Sequence, residues 1–234
     1  MTEDAVRKWL PALISAGVLG VFAVIGSALV GVSYEGTVER IAQNERDALL
    51  RQMAAVLPHH LYNNDMLNDH IEVRASGVLS DTPTTVYRAR RNGNDVAAIF
   101  SPVIASGYAG KIVLLVGVYS DGTISGVRVI THKETPGLGD KIEEKRHPWI
   151  TGFAGKSLSD PPSDRWAVKR DGGDFDQFTG ATITPRSIVA AVKRTLGYFR
   201  DNREQIFTPA TGAPADKPAQ ADSGQADKRA LEHG

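Results

Sequence analysis

The spacing of hydrophobic and polar residues changes character along the chain, and each change predicts a different element. From Trp9 to Tyr34 no residue is charged, and Leu10 to Val32 is almost wholly Ala, Val, Leu, Ile, Gly and Phe. A helix of that length rises about 35 Å against a hydrocarbon core of about 30 Å, which predicts one N-terminal transmembrane helix over 9–34. A secretory signal peptide is the competing reading, since Arg7 and Lys8 precede the run and small residues follow it, but its apolar region is usually only about 7–15 residues. Next, Thr37 to Leu57 sets Val38, Ile41, Leu49, Met53 and Val56 broadly on one stripe of a helix that Pro58 ends. It reads as a juxtamembrane stalk over 35–63 that packs on the following domain.

From about Asn64 the pattern shortens to strand-like runs. Tyr87 to Arg90 and Val96 to Phe100 flank Asn92-Gly93-Asn94, a hairpin signal. A stronger hairpin follows, in which Lys111 to Tyr119 and Thr123 to Thr131 are rich in Val and Ile and Asp121-Gly122 suits a tight turn. Trp166 to Lys169 is a further short strand candidate, and Pro185 to Asp201 carries Ile188, Val189, Val192, Leu196 and Phe199 at helical spacing. These elements predict an α+β domain over 64–207, a mainly antiparallel sheet with packed helices. The segment 208–234 is poor in large apolar residues and reads as a disordered tail.

Charge and composition narrow the chemistry. Lys plus Arg and Asp plus Glu both number 27, so no global basic field draws in nucleic acid. The chain has no cysteine, which removes disulfides, thiolate zinc and cysteine-ligated iron–sulfur clusters. His59, His60 and His70 lack a compact metal-ligand spacing, and His132 and His147 have no carboxylate or nucleophile spaced to form a triad. Arg7 and Lys8 lie before the apolar run, while Glu35 and Glu39 follow it. The positive-inside rule therefore predicts a cytoplasmic segment 1–8 and a main domain on the far side, the periplasmic face of a bacterial inner membrane.

The stretch Asp171 to Arg186 carries the most information. Thr184 reads as an N-cap with Pro185 at the first helical position, so backbone N–H groups and the helix dipole there favour an anion beside Thr182. Gly180 and Ala181 leave room for a ligand to approach the main chain. On local physics alone this remains one of many Gly-rich turns before helices.

The run Asp176-Gln177-Phe178-Thr179-Gly180-Ala181-Thr182 is similar to the Asp-x-x-Ser/Thr-Gly-Ala-Thr acceptor signature of proteins that carry covalent FMN. A second block, Glu134-Thr135-Pro136-Gly137-Leu138-Gly139, resembles a loop of the same FMN-binding family. Both blocks, and the layout of roughly residues 5–205, resemble the RnfG family, the G-type subunits of the Rnf (also called Rsx) ion-translocating electron-transport complexes.

The resemblance implies FMN joined by its phosphate to the Thr182 hydroxyl, installed by a separate periplasmic flavin transferase that takes FMN from FAD. It implies flavin contacts from Asp176, Thr179, Gly180, Ala181, Glu134, Thr135, Gly137, Leu138 and Gly139, with Lys169 and Arg170 either countering the phosphate or forming a solvated pair. The function implied is electron relay, within a set of membrane subunits, between ferredoxin and NAD redox chemistry and ion movement. Tethering would keep the flavin from being lost outside the cytoplasm. Two alternatives stand beside it: the C-type flavin-carrying subunit of the sodium-translocating NADH:quinone reductase, and a non-redox periplasmic scaffold.

Overall fold

The computed structural model of the chain describes residues 3–208, apart from the side chains of 3–13, 28, 30–42 and 45. In chain order the elements are α1 (Glu3–Val56), β1 (His70–Val73), β2 (Thr84–Arg91), β3 (Asn94–Ser106), β4 (Lys111–Tyr119), β5 (Ile124–Thr131) and α2 (Ile183–Phe207), with 3₁₀ turns before β1 and between β5 and α2. The predicted span and stalk thus form one helix. Leu19, Phe22 and Leu29 in its apolar stretch are exposed. Among the described residues no helix is long and apolar enough to cross a membrane. The side chains of 9–13, 28 and 30–34 in the predicted span, those of the segment 1–8, Val38 and Ile41 of the stalk stripe, and the tail beyond Thr208 lie outside the described residues.

The strands form one antiparallel sheet in the order β1-β2-β3-β4-β5. The turn between β2 and β3 is Asn92-Gly93 alone, because Asn94 already pairs with Arg91. Both turn residues have positive φ, 53° and 81°, as a two-residue turn matching the strand twist requires. Between β4 and β5 the Asp121 carboxylate accepts the Thr123 N–H at 2.8 Å, and Gly122 takes the left-handed conformation. β1 is a strand that the sequence pattern does not predict. Its four residues pair with β2 from Thr84 to Tyr87 and are too few to display a period.

Successive residues of β3 and β4 point to opposite faces, and both faces are covered. Ala98, Phe100, Leu114 and Val116 join Ile188, Val192 and Phe199 of α2 in the larger core. Ala97, Ile99 and Leu115 meet Met53, Val56 and Leu57 at the end of α1 in a second one. Two-sided burial is why the strand sequences read as continuous apolar runs and not as alternation.

Two local expectations are corrected. Trp166 to Lys169 is not a strand of the sheet: its main chain bonds to the returning segment, Lys169 N–H to Phe175 O at 2.7 Å and Phe175 N–H to Ala167 O at 3.1 Å. Trp166 and Phe175 are buried with Phe153 and Trp149 in an aromatic cluster that holds this irregular segment in place of a ladder. The late helix begins at Ile183, with Thr182 and not Thr184 at the cap position, and extends past Asp201 to Phe207. Pro185 therefore sits third in the helix, where its missing N–H still costs no intrahelical bond. At the far end, Arg88 and Arg90 of β2 donate to Thr208 O at 2.6 Å and Phe207 O at 2.8 Å. Cations on the last carbonyls tie α2 to the sheet and so fix where its first turn lies.

Candidate functional site

The loop leaving β5 is organised around one carboxylate. Glu134 is buried. Its N–H donates to His132 Nδ1 at 3.0 Å, which leaves the ring proton on Nε2, 2.7 Å from Glu143 Oε1. One carboxylate oxygen accepts the Ala109 N–H of the β3–β4 loop at 3.0 Å, and the other accepts the Thr184 hydroxyl of α2 at 2.5 Å. Glycine makes this fit possible on both sides. A Cβ on Gly107 would stand 2.3 Å from Glu134 Oε1, and one on Gly139 would stand 2.5 Å from Oε2. Thr135 accepts at its carbonyl from Leu138 and Gly139 N–H, each at 3.1 Å, and Gly137 has a φ of 79° that the turn needs.

The second loop is anchored before it reaches Thr182. A Cβ on Gly173 would lie 1.9 Å from the Ala167 carbonyl oxygen, so this Gly allows the chain to fold back on itself. Asp176 accepts the Trp149 Nε1–H at its carbonyl at 2.8 Å, while its exposed carboxylate pairs with Lys169 at 2.6 Å. Phe178 is buried edge-on against Trp149. The Ala181 N–H then returns to Phe178 O at 3.1 Å, closing a turn whose Gly180 has a φ of 82°. Thr182 follows at the cap position of α2, partly exposed, and makes no side-chain cap hydrogen bond. Four residues on, Arg186 grips Asp171 through two hydrogen bonds of 2.5 and 2.7 Å. The guanidinium holds the Asp171 carboxyl below its ordinary range and is itself held protonated more firmly.

The fold therefore brings the two motifs together. A Cβ on Gly180 would stand 3.6 Å from Leu138 Cδ2, and Glu134 joins the first turn of α2 through Thr184. Thr179, Gly180, Thr135, Gly137 and Leu138 form the exposed rim, while Glu134 and Gly139 are buried beneath it. Asp176 is engaged with Lys169, and Lys169 is accordingly not a free counter-charge. The backbone N–H of Arg170 donates to Gln177 Oε1 at 3.3 Å. Within the acceptor segment, Thr184 has its hydroxyl committed to Glu134, and Thr182 has its hydroxyl uncommitted to the cap.

Two further residues at this locus carry no sequence signal. Beyond α1, the large apolar residues that stay exposed among the described residues are Tyr108 at 75%, Leu138 at 44% and Ile183 at 47%. Tyr108 lies between Gly107 and Ala109, both against Glu134, and Ile183 adjoins Thr182. Exposed apolar residues near a loop of this kind make it a candidate binding surface. The surface suits a planar aromatic ring on a phosphate tether: a free hydroxyl at a helix N-terminus, small residues beside it, and apolar side chains around it. It is open. Clefts of about 550 Å³ beside Leu196 and Phe199 and about 580 Å³ between α1 and β5 lie elsewhere.

Comparison with known proteins bears on the same residues. The FMN-binding domain model matches residues 107–197, which contain both loops, and the RnfG N-terminal region model matches residues 5–56. The chain is 46% identical over 192 residues to the G subunit of the ion-translocating oxidoreductase complex of Pseudoalteromonas atlantica, covering 82% of this chain and 89% of that protein. It is 46% identical over 200 residues to the protein of the same name from Pseudomonas aeruginosa, covering 85% and 94%. Against that of Vibrio cholerae it is 40% identical over 189 residues, covering 81% and 90%.

Proposed function

The chain belongs to the RnfG family, the G subunits of ion-translocating oxidoreductase complexes, and from that premise we propose that it carries FMN covalently on Thr182 and relays electrons within such a complex. It is a flavoprotein subunit of an ion-translocating oxidoreductase complex. The relatives' name and the match to the RnfG N-terminal region favour this reading over the C-type subunit of the sodium-translocating NADH:quinone reductase. The proposed topology is a single membrane pass with the N-terminus cytoplasmic and the flavin domain periplasmic, supported by Arg7 and Lys8 before the apolar run.

The observation that carries the attachment site is the Thr182 hydroxyl, uncommitted to the cap at the start of α2 and two residues after Gly180, which faces Leu138 of the other motif loop. In maturation the Thr182 oxygen forms the bond to the phosphorus of the FMN half of FAD. The phosphoanhydride bond breaks, AMP leaves, and the hydroxyl proton passes to the periplasmic flavin transferase. The unpaired N–H groups of the first turn favour the resulting phosphodiester charge. Leu138, Ile183 and Tyr108 offer apolar contact to the ring. Bound flavin supplies one- and two-electron chemistry that no side chain of a cysteine-free protein offers.

Thr182→Ala tests the reading. Membranes with the transferase present are expected to hold an assembled complex without covalent flavin on this protein and with impaired ferredoxin-to-NAD electron transfer, read by in-gel fluorescence, peptide mass mapping and activity. Covalent flavin retained in the variant, or mapped to Thr179, would overturn it. Normal electron transfer in an assembled, flavin-free variant would favour a scaffold.

A further inference from the structure

Glu134 belongs to the loop that resembles a flavin-contacting motif, yet its carboxylate faces inward. A buried carboxylate is costly unless hydrogen-bonded, and here each oxygen has a donor from a different element, the Ala109 N–H and the Thr184 hydroxyl. The bond from Thr184 is short, at 2.5 Å. The glycines at 107 and 139 leave space for the carboxylate and for nothing larger beside it. Thr184 is two residues beyond Thr182 in the same first turn, fully buried, and its hydroxyl is occupied.

We propose that Glu134 is a positioning residue for flavin attachment: by binding the Thr184 hydroxyl it anchors the first turn of α2 and so presents the Thr182 hydroxyl outward. This rests on the reading that Thr182 takes FMN from FAD. The clamp acts on the geometry in which the Thr182 oxygen meets phosphorus, while AMP departure and proton removal belong to the transferase.

The test uses the full chain in detergent with purified transferase and FAD. Covalent flavin per folded chain is measured over time, the folded fraction coming from near-ultraviolet circular dichroism and the modified residue from peptide mass mapping. Thr184→Val keeps the shape of the side chain and removes the donor. It is expected to slow incorporation per folded chain roughly ten- to a hundredfold, the scale of a misplaced reacting group. Thr184→Ser restores the donor and is expected to recover most of the rate. Glu134→Gln keeps the acceptor for Ala109 but turns a donor toward Thr184 in place of the acceptor, and is expected to slow incorporation at Thr182.

Incorporation at the wild-type rate per folded chain in both Thr184→Val and Glu134→Gln, all at Thr182, would overturn the clamp. So would a loss that merely follows the folded fraction, since that is a structural role. A wild-type chain that takes no flavin at Thr182 would instead remove the underlying reading, and the clamp with it.

Discussion

A methyl group at position 139 would meet Glu134 at 2.5 Å from Oε2 and 2.8 Å from Cβ, and that carboxylate is already held from two sides. Gly139→Ala is therefore an overpacking change inside the site, expected to lower stability by about 1–3 kcal/mol and to displace the 135–139 loop. Thermal unfolding of the purified chain reads the first effect. Gly152→Ala provides the contrast, because a Cβ there meets nothing within 4 Å. It should leave stability unchanged within about 0.5 kcal/mol, the usual range for surface changes. Equal effects at the two positions would mean that the Glu134 pocket is looser than its contacts require. At this scale the proposed chemistry depends on hydroxyl availability: Thr182 is partly exposed with its hydroxyl uncommitted to the cap, while Thr184 is buried with its hydroxyl on Glu134.

Helices and sheet meet through small residues as well as large ones. α1 ends against β4 and β5, where Gly126 allows Val56 to approach: a Cβ on Gly126 would lie 2.9 Å from Val56 Cα and 3.2 Å from its carbonyl oxygen. Those are backbone atoms, so Gly126→Ala must push the end of α1 off the sheet instead of rotating a side chain. The expected cost is about 1–3 kcal/mol, the range for forced core shifts. Hydrogen exchange should quicken in 49–57, around Met53 and Val56, while the β3–α2 core keeps its protection, because the two clusters lie on opposite faces of the sheet. Exchange that rose equally on both faces would show that α1 and α2 depend on each other. α2 is held independently, by its apolar stripe against β3 and by Arg88 and Arg90 at its last carbonyls.

For the molecule as a whole, the functional question is on which side of a membrane the proposed flavin surface would lie. The charge pattern about the apolar run predicts that residue 2 and the sheet lie on opposite sides. The absence of cysteine makes this measurable. Single cysteines at Thr2 and at Ser120, the latter in the β4–β5 turn, are to be exposed to a membrane-impermeant thiol reagent in cells with a permeabilised outer membrane. Labelling is expected at 120 and not at 2. The reverse pattern would invert the topology, and a mature chain beginning near Val32 would show cleavage of the anchor.

Sequence alone determined what depends on near neighbours. Asn92-Gly93 and Asp121-Gly122 specify turns through allowed backbone angles, the Val- and Ile-rich runs specify the central strands, and the 3.6-residue period specifies α2. It also contained both motif loops, because a Pro-Gly-Leu-Gly run and a Gly-Ala-Thr segment can be read without any partner. Tertiary structure decided what depends on distant partners. β1 exists because β2 offers it an edge, and 166–169 leaves the sheet because Phe175 and the aromatic cluster capture it. Thr182 takes the cap position that local rules assign to Thr184, without a side-chain cap bond, and a carboxylate 50 residues earlier in the chain claims the Thr184 hydroxyl. Local preferences are weak, about 1 kcal/mol for a cap, so a buried carboxylate that needs a donor overrides them once the fold brings the two together.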